Sequence, residues 1–249
     1  MSAKPWSRAI VVGASSGIGE ALARQLAASG CRVALVARRK AELDAIVAQI
    51  TDAAPGKAIA YVHDVTHYHE AAALFAEIVE ELGGLDLIVY AAGIMPRLKP
   101  NDYDLDQDLA IIDTNFSGAV AWLNPAADRF GRTKSGTIIG ISSVAGDRGR
   151  RGNVVYGATK TALNSYLESL RNRISVKGAL VVTVKPGPVS TPMTEGLKMP
   201  FMIPVEQAAS EILQAARSGV EVVYVPAKWK LIMTVVRAVP SFIFRHMNF

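Results

Sequence analysis

The chain has 249 residues, half of them hydrophobic and a fifth charged, with a formal net charge of +5. This balance excludes a disordered chain and supports a large core. The cationic excess suits anions such as phosphorylated cofactors, but it is too scattered, and too poor in aromatic–basic modules, to mark a nucleic-acid surface. Cys31 stands alone, which excludes an intramolecular disulfide, and its place at the head of an apolar run reads as a buried small residue.

The first predicted strand, 9–12, is too short for a signal-peptide core and runs straight into Gly13-Ala14-Ser15-Ser16-Gly17-Ile18-Gly19. A helical pattern over 17–29 follows. Strand, glycine-rich turn and helix together form a site for a pyrophosphate: glycines permit close backbone approach, and the helix start offers free N–H groups at a positive dipole end. The second strand, 32–37, ends at Arg38-Arg39-Lys40, with no acid before Glu42 in the helix predicted over 40–51. An acid at this place would bind a ribose 2′-hydroxyl, whereas guanidinium groups suit a 2′-phosphate. The predicted cofactor is therefore NADP(H), with Arg38 as main contact and Ser15 or Arg39 assisting.

A third strand, 58–63, leads to Asp64-Val65 and a helix over 67–82; a fourth, 85–91, leads to Ala92-Gly93. One long helical pattern, 104–130, contains Asn115, a poor helix former. The fifth strand, 136–142, ends at Ser142-Ser143. The helix over 153–176 carries Tyr156 and Lys160, four apart and so on one face. Free tyrosine titrates near ~10, too high for a base at neutral pH, and a nearby ammonium is expected to lower it. The sixth strand, 180–185, precedes Pro186-Gly187-Pro188-Val189-Ser190-Thr191, where prolines fix an extended turn and Gly187 lets the backbone come close to a ligand. A helix over 205–218 and a strand over 221–225 complete the pattern. Strands alternating with helices, most of the strands apolar throughout, predict an α/β fold: a Rossmann-type doubly wound parallel sheet of about seven strands, with helices on both faces in three α/β/α layers. We read it as a single domain over 1–249. Sites in such sheets lie outside the carboxyl ends of the strands.

The spacing Gly13-x-x-x-Gly17-x-Gly19, taken with Asn115, Ser143, Tyr156-x-x-x-Lys160 and the segment 186–191, resembles the short-chain dehydrogenase/reductase family in its short single-domain form. The resemblance runs from residue 9 to about 191. It implies hydride transfer between a nicotinamide and a carbonyl or secondary alcohol, with Tyr156 as proton donor or acceptor and Lys160 on the nicotinamide ribose. Ser143, thirteen residues before Tyr156, matches the family's catalytic serine, and Asn115 its fourth member, holding a water that relays protons towards Lys160. By the same resemblance Asp64, with Val65, contacts the adenine, Ala92 and Gly93 offer backbone to the pocket, and Val189 and Thr191 meet the carboxamide. The chain departs from the family at Ala91, where an asparagine is usual, so no polar side-chain role is carried over there. Homodimers or homotetramers are implied, through the helices over 104–130 and 153–176.

Beyond the motifs the sequence leaves alternatives open. Met193, Leu197, Met199, Phe201, Met202 and Ile203 mark a lid at about 193–204, and with Ile94, Met95 and Leu98 they suit a hydrophobic ketone or acyl substrate. Arg148, Arg150 and Arg151 either meet an acidic substrate or acyl carrier or lie in a solvated loop. The basic, apolar tail at about 228–249 lies on a membrane surface, covers the substrate pocket, or packs between subunits. No run reaches the length of a membrane span, and the expected location is cytoplasmic, with peripheral membrane contact as an option. The alternative to an enzyme is a catalytically weak NADP-binding regulatory protein of the same fold.

Overall fold

Runs rich in Val, Ile, Leu and Ala have both faces to bury, and the central strands they form are covered on both sides. The computed structural model describes residues 6–53, 58–97, 103–197 and 199–247. Its strands are β1 (Arg8–Val12), β2 (Arg32–Ala37), β3 (Ala58–Val62), β4 (Leu87–Tyr90), β5 (Thr137–Ile141), β6 (Leu180–Pro186), the short β7 (Val189–Ser190) and β8 (Ile203–Pro204), and β9 (Val222–Val225). Seven of them form one parallel sheet in the order β3-β2-β1-β4-β5-β6-β9. The connection reverses direction between β1 and β4, and this switch point opens a crevice at their carboxyl ends.

Helices α1 (Gly17–Ala28), α2 (Lys40–Ala53) and α7 (Val205–Arg217) cover one face; α3 (Tyr68–Leu82), α5 (Gly118–Thr133) and α6 (Val154–Ile174) cover the other. The two-residue period of β1 shows how the layers form. Ala9 and Val11 pack with Leu22, Leu26 and Ile212, while Ile10 and Val12 pack with Phe75, Trp122 and Leu163. Full burial of such side chains contributes roughly 1.5–3 kcal/mol each. The fold is the three-layer Rossmann-type arrangement that the alternating pattern predicts. Cys31 is fully buried in it, and burial pushes its thiol up to about 12, away from reactivity.

The pattern over 104–130 is not one helix. α4 (Leu105–Ile112) gives way to a single π-helical turn, Asp113–Ser117, before α5 begins. A contact from β4 accompanies it: the Tyr90 hydroxyl donates to the Thr114 carbonyl at 2.6 Å and replaces a helical partner. Gly118 makes room, since a Cβ there would lie 2.6 Å from the Tyr90 hydroxyl. The turn carries Asn115 inward, fully buried.

The tail forms α8 (Lys228–Ala238) and α9 (Ser241–Phe244). Trp229, Met233 and Val236 face inward against Val144 and Tyr224, while Leu231, Val235 and Phe242 are exposed. Arg148 caps α8 by donating to the carbonyls of Val236, Arg237 and Val239, and its guanidinium lies 4.2 Å over the Phe244 ring. Arg151 donates to the Arg245 carbonyl. Beneath them Asp147 joins Lys185, at 2.6 Å, and the Tyr224 hydroxyl, at 2.7 Å. Two of the three arginines read as a solvated or substrate-facing loop are thus tail clamps. Among the described residues no helix is long and apolar enough to cross a membrane.

Candidate active site

The turn after β1 is built for close approach. Gly13 has φ +87°, and a Cβ on it would stand 2.4 Å from the Ala92 nitrogen; one on Gly19 would stand 2.2 Å from the Gly13 carbonyl oxygen. The ends of β1 and β4 and the start of α1 therefore meet through bare backbone. Ser16, the N-cap residue of α1, makes no capping bond with its side chain, so the first-turn N–H groups remain available to an anion. Its hydroxyl instead accepts from Arg39 at 2.8 Å, and the same guanidinium holds the Ser15 hydroxyl at 2.9 Å. Arg38 lies beside it, more exposed, 3.6 Å from the Asp64 carboxylate. The Asp64 side chain accepts from the Thr66 nitrogen and hydroxyl, and these bonds hold its carboxyl below the usual range.

At the other end, β5 delivers Ser143 and α6 delivers Tyr156 and Lys160. The two elements lock together: the Ser142 hydroxyl donates to the Lys160 carbonyl at 3.1 Å, and a Cβ on Gly146 would lie 2.7 Å from the Lys160 carbonyl carbon. Lys160 donates from Nζ to the Ile141 carbonyl at 2.9 Å and stands 5.6 Å from the centre of the Tyr156 ring. Burial pulls its ammonium down to about 8. Asn115 grips Ile94 at two points, accepting from its nitrogen at 2.7 Å and donating to its carbonyl at 3.0 Å. A Cβ on Gly93 would lie 3.3 Å from Asn115 Oδ1 and 3.6 Å from Lys160 Nζ, so both converge over that glycine.

The tyrosine titrates contrary to the expectation from its lysine neighbour. Burial raises Tyr156, and the groups that oppose this are a hydrogen bond from Ser143 and the charge of Arg150. Desolvation of the phenolate outweighs both. At neutral pH Tyr156 is therefore a phenol, the proton-donating form.

Both ends open into one cavity of about 860 Å³. Every residue singled out above for a catalytic or cofactor role lines it except Asp64 and Asn115. His63 and Val65 on either side of Asp64 do line it, as does Ile94, whose backbone Asn115 holds. Of the residues the apolar-pocket reading names, Ile94, Met95, Met193, Leu197 and Met199 line the cavity; Phe201, Met202 and Ile203 do not, Ile203 being taken up in the β7–β8 pairing, and Leu98 lies outside the described residues. The pairing of β7 with β8 closes the base of the 193–204 segment. Phe201, at φ +59°, is held by the Lys228 ammonium 4.1 Å above its ring and by an edge contact with Trp229.

Two further lining residues stand outside the catalytic and cofactor sets. Trp229 enters from α8 and stacks so tightly on Gly187 that a Cβ there would lie 2.0 Å from the indole nitrogen. Of the three readings of the tail, this geometry supports a cover on the pocket. Arg150 lines the cavity beside Tyr156. For Trp229 the only signal in the sequence was an aromatic in a tail; for Arg150 it was one arginine among three.

A doubly wound sheet with a glycine-rich turn at its switch point, and Ser143, Tyr156 and Lys160 in the same crevice, is the arrangement expected of a dinucleotide-dependent oxidoreductase. Residues 7–199 match the short chain dehydrogenase family, and the chain belongs to that family. It is 36% identical over 188 residues to an uncharacterized oxidoreductase of Staphylococcus epidermidis, covering 76% of this chain and 80% of that one. An uncharacterized oxidoreductase of Myxococcus xanthus is 34% identical over 211 residues, covering 84% and 83%. Among solved structures, a short chain dehydrogenase/reductase family protein superposes with a TM-score of 0.78 at 29% identity, over 90% of this chain and 97% of its own. A short-chain type dehydrogenase/reductase from Mycobacterium ulcerans shares the fold with a TM-score of 0.79 at 24% identity, over 90% and 89%. The family uses nicotinamide cofactors, and the cradle fits one: the start of α1 carries no side-chain cap and opens, through Gly13, Gly17 and Gly19, on the cavity.

Proposed function

We propose that the chain is an NADP(H)-dependent oxidoreductase that interconverts a carbonyl and a secondary alcohol, its substrate a hydrophobic ketone or acyl carbonyl. The observation that carries this reading is the union, in one cavity, of Ser143, Tyr156 and Lys160 with a guanidinium pair at the end of β2. The bound nicotinamide supplies or takes up the hydride. Ser143 donates a hydrogen bond to the carbonyl oxygen as negative charge grows on it. Tyr156 passes its phenolic proton to that oxygen in reduction and recovers it in oxidation. Lys160 favours the phenolate and holds the nicotinamide ribose. Asn115 positions the Ile94 backbone and Lys160, with a water between them as the relay. Arg38 and Arg39 take the 2′-phosphate, Arg39 from its seat on Ser15 and Ser16; a carboxylate would repel that phosphate, and neither Asp nor Glu lines the cavity among the described residues.

Titration of NADPH and NADH into the purified protein tests the cofactor assignment. NADPH is expected to bind at least about ten-fold tighter, the worth of one or two charge-assisted bonds. The double variant Arg38→Ala/Arg39→Ala is expected to bring the two to parity by weakening NADPH alone. Equal binding of both cofactors to the wild type refutes NADP preference. Tight NADPH binding without turnover on aliphatic, aromatic or acyl ketones favours the regulatory alternative.

A further inference from the structure

Four cations line the cavity and, among the described residues, no carboxylate does. Three have a place in the reading above: Arg38 and Arg39 at the end of β2, and Lys160, whose Nζ is bonded to the Ile141 carbonyl. The fourth, Arg150, stands in the loop between β5 and α6, at the end of the cavity that holds Ser143 and Tyr156. Its two neighbours in sequence show that this placement is not shared by the loop as a whole. Arg148 and Arg151 turn away and bind carbonyls of the tail. Gly152 and Asn153, which follow, also line the cavity, and Asn153 takes a left-handed conformation, φ +52°, to turn the chain into α6. Burial lowers the Arg150 pKa and its interaction with Tyr156 raises it, so the half-buried guanidinium sits on the reacting side of the site. Met95, Met193, Leu197 and Met199 line the same cavity. Unbranched methionines adapt to a chain of carbon atoms rather than to one rigid shape.

We infer that Arg150 is a specificity determinant that binds a carboxylate on the substrate, which makes the preferred substrate an oxo acid, or the corresponding hydroxy acid, with an apolar stem. The inference rests on the carbonyl–alcohol reading of the same site. An arginine fork matches a planar carboxylate with two parallel bonds, and in a cavity lined by cations and no acid such an anion meets no repulsion. The carboxylate takes no part in the chemistry; it fixes the stem so that the carbonyl carbon reaches Ser143 and Tyr156.

The test pairs binding with turnover. Octanoate and 1-octanol are titrated into the NADPH-saturated protein by calorimetry, and reduction of a medium-chain oxo acid is compared with that of its methyl ester. In the wild type octanoate is expected to bind about ten-fold tighter than octanol, and the oxo acid to show a similar advantage in kcat/KM. Arg150→Met should bring each pair to within about two-fold, and Arg150→Lys should restore part of the difference. NADPH affinity serves as the check that each variant is folded. Equal binding of octanoate and octanol by the wild type overturns the assignment. So does an Arg150→Met variant that slows acid and ester alike and displaces the pH profile for both, since Arg150 would then act on Tyr156. Octanoate selectivity that Arg150→Met abolishes, in a protein that reduces no carbonyl, upholds the anion site and removes the reaction assigned to it. Reduction of neutral ketones with no acid preference does the reverse.

Discussion

Tyr156→Phe is expected to lower kcat for carbonyl reduction by about 10³-fold, within the range that a positioned proton donor contributes. The substitution removes one oxygen and leaves the ring, which packs with Ile111 and Ala145 under Ile94 and Met95. The fold and the cofactor cradle, which the ring does not touch in this cluster, should persist, and NADPH affinity should change by less than about three-fold. Residual turnover is expected because Ser143 still donates to the developing alkoxide and the cavity still aligns the reactants. Burial raises the tyrosine, so the wild-type reduction rate should hold through neutral pH and fall only on the alkaline side, as the phenol is lost. Single-turnover measurements with prebound NADPH isolate this step from product release. A variant that reduces ketones at near wild-type rate would remove Tyr156 from the proton path.

The sequence is legible where one local rule decides the outcome. Apolar β-branched runs have no choice but a two-sided sheet, and all seven predicted strands lie within two residues at each end of those in the structure, β2 being identical. The glycine turn is legible for the same reason, because Gly13 and Gly19 each exclude a Cβ by backbone contact alone. The π turn at Asn115 is not, since it depends on Tyr90, a residue 24 positions earlier that reaches the Thr114 carbonyl through space. Trp229 was hidden likewise: its contact with Gly187 joins segments whose proximity only the sheet order establishes. The direction of the Tyr156 shift was misjudged because spacing on a helix reports which charges are near, not how dry the site is. The arginines illustrate the limit most clearly. Arg148, Arg150 and Arg151 are equivalent as residue types, and only the packing of α8 and α9 draws Arg148 and Arg151 to the tail while Arg150 lines the cavity.

Lys160→Met is expected to stabilise the cofactor-free protein at pH 7 while lowering turnover by 10²-fold or more, on the order of the loss seen when an acid–base pair is broken. Lys160 is 4% exposed, and its fall from an ordinary 10.5 to about 8 has burial as its cause. That difference corresponds to about 3 kcal/mol set against folding wherever the lysine is charged in both states. The loss of the amine's bond to the Ile141 carbonyl offsets part of it, at a cost of about 1–3 kcal/mol for an acceptor left unpaired. The pH dependence separates the two contributions, because only the first titrates. Below about 8 both folded and unfolded chains bind the proton, and the penalty is present in full. Between about 8 and 10.5 the unfolded chain still binds it and the folded chain does not, so wild-type stability rises with pH across this window. Methionine has no proton to bind, and the variant should lack that rise. Urea midpoints for both proteins at pH 7, 8 and 9.5 should therefore converge, or cross in favour of the wild type, as pH increases. Parallel profiles would show that the folded protein hydrates the ammonium in full. The strain would then be absent, and the lysine would owe its place at the site to its contacts with Tyr156 and the Ile141 carbonyl.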